Sequence, residues 1–216
     1  MYFTECQRCI MPASIPSVKL DEHGICNYCH MHDSLDKQYP IDYGQIEKIG
    51  AEIRKNAKGK YHCLMGLSGG CDSSYMLHLV VRHMKLNPLV IHFDNGWNIP
   101  EANENIMNMV NYLSVDFIRF HPDIQEYDRL CKAFLMASVP DADIPNDVAM
   151  LSIFMDVAKK YDIKYVFNGH NFRNEGTCPT DWTWMDGKYI HSVYEWYWSK
   201  YKLRNYPSYT FWDQIK

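Results

Sequence analysis

From about residue 61 onward, short apolar runs alternate with longer segments of helical periodicity. The apolar runs are of strand length, and each is followed by turn-forming residues. The predicted strands are Tyr61–Leu67, Pro88–Phe93, Val115–Phe120 and Lys164–Phe167, and the predicted helices are Ser73–Leu86, Pro100–Leu113, Gln125–Ala137 and 147–160. In the last helix we expect a shared face of Val148, Leu151, Ser152 and Met155. This alternation predicts an α/β fold in which helices cover both faces of a parallel sheet.

The first part of the chain has a different pattern. Residues 1–35 hold four cysteines and little periodicity, which indicates a fold organised by a metal more than by an apolar core. We therefore expect two domains, a small one over 1–40 and a nucleotide-binding one over 41–216. The second would open with an amphipathic helix over 42–58, whose apolar face would hold Ile46, Ile49 and Ile53.

The composition of the chain weighs against several classes of function. The chain has 216 residues, 47% of them hydrophobic and 22% charged, as in folded proteins. The net charge of −4 weighs against a large nucleic-acid surface, which needs clustered basic residues. No apolar run approaches the roughly 20 residues that span a bilayer, and the first residues lack a signal-peptide pattern. We expect a cytoplasmic protein with no membrane partner, whose eight cysteines do not form disulfides.

Two cysteine pairs near the start of the chain have the spacing of a metal site. Cys6-x-x-Cys9 and Cys26-x-x-Cys29 are separated by sixteen residues, which predicts a four-thiolate zinc knuckle. Four thiolates leave no open coordination position, so this zinc would be structural. An iron–sulfur cluster on the same four residues, or ordinary buried cysteines, remain alternatives.

The sharpest signal is the loop Leu67-Ser-Gly-Gly-Cys-Asp-Ser-Ser74 between a predicted strand and helix. Gly69 and Gly70 allow a tight turn and a close approach to a phosphate, and the following helix start directs amides at the anion. Asp72 could hold Mg²⁺. Hydroxyl donors would come from Ser68, Ser73 and Ser74.

This Ser-Gly-Gly-x-Asp-Ser loop resembles the signature of the PP-loop ATP pyrophosphatases, of the adenine nucleotide alpha hydrolase-like fold, which cleave ATP to AMP and pyrophosphate. Asp94, with Asn95 and Gly96, matches the place where that superfamily receives adenosine. Gly169, with His170 and Asn171, resembles its second nucleotide-side motif. Taken alone, the last two loops are also compatible with ordinary turns.

A narrower resemblance covers nearly the whole chain. A Cys-x-x-Cys-Ile-Met-Pro opening, a second Cys-x-x-Cys, a PP-loop and a Gly-x-Asn…Glu-Gly…Trp region together resemble the N-acetyl sugar amidotransferases. In this sequence the pieces are Cys6 to Pro12, Cys26 to Cys29, Ser68 to Ser73, and Gly169 to Gly176 followed by Trp182 and Trp184. The resemblance implies that ATP and Mg²⁺ adenylate the acetamido oxygen of a nucleotide-linked N-acetyl sugar. Ammonia then replaces AMP, giving an acetamidino sugar for polysaccharide or glycan biosynthesis.

The same resemblance suggests roles and partners. His170, Arg173 and Glu175 would lie beside the reacting amide, with Glu175 in metal or proton handling and Arg173 in phosphate contact; either could instead be a surface charge. Ammonia would come from a glutaminase subunit with a barrel-type partner. Family members are longer at the C-terminus, and many carry Lys where this chain has Cys71.

Two competing hypotheses come from other classes. A tRNA-thiolating PP-loop enzyme would need reactive cysteines in the catalytic domain. Of the remaining cysteines, Cys63 and Cys131 fit core packing and Cys178 alone lies in a plausible active-site loop. A non-catalytic nucleotide-binding module is the second alternative. The aromatic residues after about 176 are expected in the core or at an interface.

Overall fold

The computed structural model describes residues 3–179, 182 and 185–208. The chain forms two compact units. The first consists of Met1–Asp42 with His170–Trp184, and the second of Tyr43–Gly169 with Met185–Lys216. The first unit therefore contains a segment from far along the chain, while the predicted domain boundary near residue 40 stays a prediction.

The second unit is built on a four-stranded sheet. Its strands are β1 (Cys63–Gly66), β2 (Pro88–Phe93), β3 (Asp116–Phe120) and β4 (Val166–Phe167). They lie in the order β3-β2-β1-β4, and every neighbouring pair is parallel. The predicted α/β fold with a parallel sheet is confirmed. Strand β4 is shorter than predicted because it pairs with β1 at only two positions, Val166 and Phe167.

Helices connect the strands. The helices of this unit are α2 (Gly44–Asn56), α3 (Cys71–His78), α4 (Pro100–Leu113), α5 (Ile124–Ala137), α6 (Ile144–Lys160) and α8 (Gly187–Trp198). A π-helical turn, Leu79–His83, continues α3. Helix α4 begins with proline, which has no N–H to leave unpaired. The Asp123 carboxylate caps α5 by accepting the N–H groups of Gln125 and Glu126. The first unit contains α1 (Asn27–Gln38) and α7 (Phe172–Glu175).

The sheet is buried on both faces, as the sequence predicts. Leu64 of β1 and Ile91 of β2 belong to one apolar cluster, which includes residues of α5, α6 and α8. Met65 and Val90, the adjacent strand residues, belong to a second cluster with residues of α2, α3 and α4. Neighbouring strand residues thus face opposite layers. Cys63 and Cys131 are buried in these clusters, as expected for core cysteines.

Some predicted helix faces are wrong in detail. Ile53 is buried on α2, but Ile49 of the same predicted face is 44% exposed. On α6, Ser152 is buried and its hydroxyl donates to the Val148 carbonyl at 2.9 Å. The other two residues predicted for that face, Leu151 and Met155, are 48% and 41% exposed. Three-residue and four-residue spacings place all these side chains near the core, but packing buries a narrower stripe.

The aromatic-rich C-terminal segment forms helix α8, which the sequence analysis did not predict. Tyr194 is fully buried, and its hydroxyl accepts the Arg129 Nε–H at 3.1 Å. The Trp198 indole donates to the Arg129 carbonyl, whereas Trp196 is 83% exposed. The predicted core placement therefore holds for part of the segment. The aromatic residues Trp184, Tyr209, Phe211 and Trp212 lie outside the described residues.

Residues beyond α8 are anchored to α5 by one carboxylate. The buried Glu126 side chain accepts the backbone N–H groups of Arg204, Asn205 and Tyr206 at 2.8 to 3.1 Å. Among the described helices, none is both long and apolar enough to cross a bilayer.

Candidate functional site

The loop between β1 and α3 is closed by its own serine side chains. Ser73 Oγ lies 3.0 Å from Ser68 Oγ and accepts the Ser68 backbone N–H at 3.2 Å. The Gly70 N–H donates to Ser68 Oγ at 3.4 Å. These hydrogen bonds hold the backbone between the last residue of the strand and the first turn of the helix. The predicted residues Ser68 to Gly70 therefore form an ordered loop, and Cys71 to Ser74 form the first turn of α3.

The two glycines of this loop have different roles. Gly69 has φ +80°, and a Cβ at this position would lie 2.3 Å from the Ala102 carbonyl oxygen of α4. Asn105 of the same helix donates its side-chain N–H to the Gly69 carbonyl at 3.2 Å. Gly70 has an ordinary φ of −77°, and its Cβ would meet only Ser68 Oγ, at 3.4 Å. Gly69 is thus required by close packing against α4, a reason that the sequence does not reveal.

Helix α3 begins directly after the loop, with Gly70 as its N-cap. The first amide N–H groups of a helix have no partner within the helix, and the helix dipole adds partial positive charge there. The side chains of Cys71 and Asp72 are exposed on this turn. Amides, hydroxyls and one carboxylate therefore surround the helix start, which suits a phosphate and an accompanying divalent cation.

A buried histidine, which the sequence pattern does not single out, lies beneath this loop. His92 of β2 is 4% exposed, and its Nδ1 lies 2.9 Å from the Leu67 carbonyl oxygen. Its Nε2 lies 2.8 Å from the side-chain nitrogen of Asn98. The Nδ1 atom therefore carries the proton and Nε2 accepts. Burial lowers the pKa of His92 below its ordinary value of 6.5, which favours this neutral form. A histidine inside an apolar strand was the available signal.

The carboxyl end of β2 carries the predicted residue Asp94 in a network of charges. The Gly96 N–H donates to Asp94 Oδ1 at 3.2 Å, and Arg119 Nη1 lies 3.4 Å from Asp94 Oδ2. His121 Nδ1 lies 3.7 Å from the same oxygen. These contacts fix Asp94 as part of the turn after β2, on the strand adjacent to β1.

After this turn, Asn95 is held by hydrogen bonds and the indole of Trp97 is exposed to solvent. The Asn95 amide donates to Asn146 Oδ1 at 3.2 Å, and its oxygen accepts the Trp97 N–H at 3.0 Å. The Trp97 ring meets Tyr127 edge-on, with 6.1 Å between centroids, yet it remains 61% exposed. An anchored, exposed indole at this strand end offers a flat surface to a ring-containing ligand.

The four N-terminal cysteines converge in the first unit. The sulfurs of Cys6, Cys9, Cys26 and Cys29 all lie within 4.8 Å of one another. The Cys6–Cys29 and Cys9–Cys26 Sγ separations are 3.8 and 3.6 Å. A tetrahedral zinc with Zn–S bonds of about 2.3 Å separates its sulfurs by about 3.8 Å. The predicted four-cysteine cluster is therefore confirmed as a group that could bind zinc, while its metal stays a prediction.

Backbone amides support the sulfurs. Cys6 Sγ accepts the N–H groups of Arg8 and Cys26 at 3.4 and 3.3 Å. Burial opposes ionisation of Cys6, but the backbone amides of Cys9, Arg8 and Cys26 together outweigh it and lower the pKa of its thiol to about 6. Burial raises the pKa values of Cys9 and Cys29. A bound cation would compensate for several thiolates in one place.

The motif predicted after β4 divides between the two units. Gly169 ends a segment of the second unit, whereas His170, Arg173 and Glu175 belong to the first. His170 Nδ1 lies 2.9 Å from Glu175 Oε2. Arg173 Nε donates to Asp36 at 2.7 Å, so its guanidinium is engaged within its own unit. The roles predicted for these residues in phosphate contact and proton transfer stay predictions.

Comparison with known proteins supports the fold assignment. Residues 62–135 match the family model described as phosphoadenosine phosphosulfate reductase domain, a PP-loop superfamily member. An uncharacterized protein of Methanocaldococcus jannaschii is 31% identical over 136 residues, which are 62% of this chain. The chain spans about half of that relative, 48% of its length. Together with the parallel sheet and the Ser68–Ser74 loop, the family match identifies a PP-loop-like fold.

Solved structures give weaker similarities. An NH₃-dependent NAD synthetase from Campylobacter jejuni is 17% identical with a TM-score of 0.48, over 73% of this chain and 74% of that one. An NMN synthetase from Francisella tularensis is 16% identical with a TM-score of 0.43, over 61% and 56%. A U34-tRNA thiolase from Methanococcus maripaludis, solved with its [4Fe-4S] cluster, is 18% identical with a TM-score of 0.30, over 58% and 40%.

Proposed function

We propose that this chain is an ATP-dependent, AMP-forming amidotransferase acting on a nucleotide-linked N-acetyl sugar. The observation that carries the proposal is the Ser68–Ser74 loop at the start of α3. Its serine hydroxyls are held together, Gly69 is packed tightly on α4, and the helix amides lie directly behind it. This arrangement suits the pyrophosphate portion of ATP better than a neutral ligand, because fixed donors and the helix dipole stabilise negative charge.

The proposed reaction explains why ATP is needed. An amide carbon is a weak electrophile, so ammonia does not displace its oxygen directly. The acetamido oxygen attacks the α-phosphorus of ATP, and the bond to pyrophosphate breaks. Ammonia then adds to the activated carbon, the C–O bond to AMP breaks, and proton loss from nitrogen gives the acetamidino group. The helix start would stabilise the departing pyrophosphate in the first step.

A magnesium ion is expected to accompany ATP. The exposed Asp72 carboxylate on the first turn of α3 is an oxygen ligand of the kind that Mg²⁺ prefers. When bound, Mg²⁺ would supply charge compensation for the phosphates. The Ser68 and Ser73 hydroxyls would orient the β- and γ-phosphates by hydrogen bonds.

The proton transfers of this reaction could be carried out by residues of the first unit. Attack by ammonia creates a nitrogen with surplus protons, which a general base must remove. His170 and Glu175 are hydrogen-bonded to each other and largely exposed, so the pair could accept and pass on a proton. Glutaminase and barrel-type subunits are the proposed ammonia source, and a high concentration of ammonium should replace them in vitro.

The test is a product assay with a matched variant. Wild-type protein is incubated with Mg-ATP, ammonium and a panel of nucleotide-linked N-acetyl sugars, and AMP and sugar mass are measured. We expect AMP only when sugar and ammonium are both present. We expect Ser73→Ala to lower the rate by about 100-fold, because the loop loses a hydroxyl that both orients phosphate and holds Ser68.

The control is Ser192→Ala on the exposed side of α8, where the hydroxyl bonds only its own helix in the described contacts. It should keep the wild-type rate. AMP formation that needs tRNA and a sulfur donor, instead of sugar and ammonium, would replace this proposal by tRNA thiolation. ATP binding without any AMP formation would favour a non-catalytic module.

A further inference from the structure

The start of helix α1 is built from the cysteine cluster. Cys26 is the N-cap of α1, and its sulfur accepts the Cys29 N–H at 3.4 Å. The Cys26 N–H in turn donates to Cys6 Sγ at 3.3 Å. A twelve-residue helix is marginal on its own in water, because nucleation is costly. The first turn of α1 is therefore fixed by the same atoms that would bind the metal.

One face of α1 holds the segment 172–177. Three contacts lie on one side of it, at residues separated by four positions, and a fourth is made by its C-cap, Tyr39. The Tyr28 carbonyl accepts the Thr177 hydroxyl at 2.8 Å, and the His32 ring meets Phe172 edge-on at 5.4 Å. The next pair binds Arg173 from two directions: Asp36 accepts its Nε–H at 2.7 Å, and the Tyr39 carbonyl accepts an Nη2–H.

The segment has little support of its own. Helix α7 is a single turn of four residues, capped at its start by the Asn171 side chain. Helices this short do not persist without tertiary contacts. Among the described elements, α1 is the one against which α7 packs most extensively. The Arg173–Asp36 pair is the one hydrogen bond between oppositely charged side chains among the α1 contacts above, and charge-assisted bonds are the stronger class.

We infer that Asp36 is a positioning residue, through which the metal-built helix α1 holds Arg173 and with it the His170–Glu175 pair. Arg173 then serves as an anchor of the segment instead of a phosphate ligand. The metal site then also controls the order of a distant segment. Loss of the metal unwinds the start of α1 and releases 171–177, which lies more than 130 residues away in sequence. The contribution of the segment to turnover, but not its attachment to α1, rests on the proposed function.

The primary test measures order in the segment directly. Hydrogen–deuterium exchange over 171–177 is compared in wild type, Asp36→Asn and Asp36→Glu, with metal content measured for each. We expect Asp36→Asn to keep its metal and to exchange about tenfold faster in this segment, since Arg173 then faces a neutral amide oxygen instead of a carboxylate. Asp36→Glu should restore part of the protection.

Asp33 provides a matched control on the same helix. It has a similar exposure and pairs with Arg8 at 2.7 Å, on the cysteine side of the unit. Asp33→Asn should leave exchange over 171–177 within about twofold of wild type. Wild-type exchange in Asp36→Asn, or equal acceleration in both variants, would overturn the inference.

Metal removal is the second arm. Removal of the metal from the full-length protein with a chelator should accelerate hydrogen–deuterium exchange in 27–38 and 171–177 together. If 171–177 stays protected in the metal-free protein, the proposed coupling between the metal site and this segment is wrong. For turnover, Asp36→Asn should lower kcat about tenfold with the KM for ATP unchanged, and Asp36→Glu should recover part of it. Absence of AMP formation by wild type contradicts the proposed function alone, and the exchange data still decide the positioning role.

Discussion

Replacement of Gly69 by alanine tests whether packing against α4 shapes the candidate nucleotide loop. At φ +80° an L-residue is strained, because its Cβ approaches the following carbonyl. The added carbon would also lie 2.3 Å from the Ala102 oxygen, 2.9 Å from its carbonyl carbon and 3.1 Å from its Cα. All three atoms are backbone atoms of a helix, so they cannot rotate away. The loop or the first turn of α4 must therefore shift.

The magnitude follows from these two effects. Left-handed backbone costs an alanine about 1–2 kcal/mol relative to glycine. Forcing a methyl group against fixed neighbours costs about 1–3 kcal/mol more. We therefore expect Gly69→Ala to lower the free energy of unfolding by roughly 2–5 kcal/mol. Any shift of the loop also lengthens the Asn105–Gly69 hydrogen bond and misplaces the donors for phosphate, so ATP affinity should fall about tenfold or more.

Gly70→Ala is the matched control, one residue along the same loop. Its φ of −77° suits any residue, and the new Cβ meets only Ser68 Oγ at 3.4 Å. Its unfolding free energy should change by about 1 kcal/mol or less. Urea unfolding followed by circular dichroism gives both values, and titration with a fluorescent ATP analogue gives affinity. Equal destabilisation by the two variants, or a Gly69→Ala change below about 0.5 kcal/mol, would refute the packing argument.

Three further predictions concern buried polar groups. His92→Phe leaves the Leu67 carbonyl without its N–H donor and should lower the free energy of unfolding in urea by about 1–3 kcal/mol. An unchanged free energy of unfolding would mean that the hydrogen bond from His92 to Leu67 does not stabilise the fold. Because burial lowers the pKa of His92, the unfolded chain binds the proton more readily, so stability should be full above about pH 6.5 and fall as pH drops below it. His92→Asn should reduce the dependence of the unfolding free energy on pH between pH 7 and pH 5 by about the titration of one histidine. If this pH dependence is unchanged in the variant, it comes from other groups. Glu126→Gln weakens three backbone hydrogen bonds and should speed tryptic cleavage at Arg204 about tenfold. The exposed control Glu195→Gln should leave the cleavage rate unchanged. Equal cleavage rates in the two variants would argue that Glu126 does not anchor residues 204–206.

Local patterns in the sequence identified much of the sheet unit. The bounds of Pro88–Phe93 and Pro100–Leu113 were predicted as the structure has them, because a buried strand and a proline-initiated helix leave clear local signals. The loop Ser68–Ser74 was found for the same reason, since strand, glycine turn and helix follow one another directly. Helix α8 does have a buried stripe, formed by Gly187, Ile190 and Tyr194, but large aromatic residues at exposed positions such as Trp196 obscure it in the sequence.

Contacts between distant residues could not be predicted in this way. Nothing local in the sequence links Asp36 to Arg173, which lie 137 positions apart, so their hydrogen bond could not be predicted from it. The requirement for Gly69 depends on the Ala102 carbonyl of another helix, which only the folded chain brings near. His92 is merely one polar residue in an apolar strand until its partners, Leu67 and Asn98, are known. Each case depends on packing between elements, which periodicity does not report.

Under the proposed function, this chain would couple ATP cleavage between the α- and β-phosphates to replacement of an amide oxygen by nitrogen. The most direct measurement supplies Mg-ATP, a nucleotide-linked N-acetyl sugar and isotopically labelled ammonium, and follows the label, AMP and pyrophosphate together. We expect labelled acetamidino sugar, AMP and pyrophosphate in equal amounts, with each dependent on both co-substrates. Formation of ADP and phosphate, or AMP without label in the sugar, would contradict it.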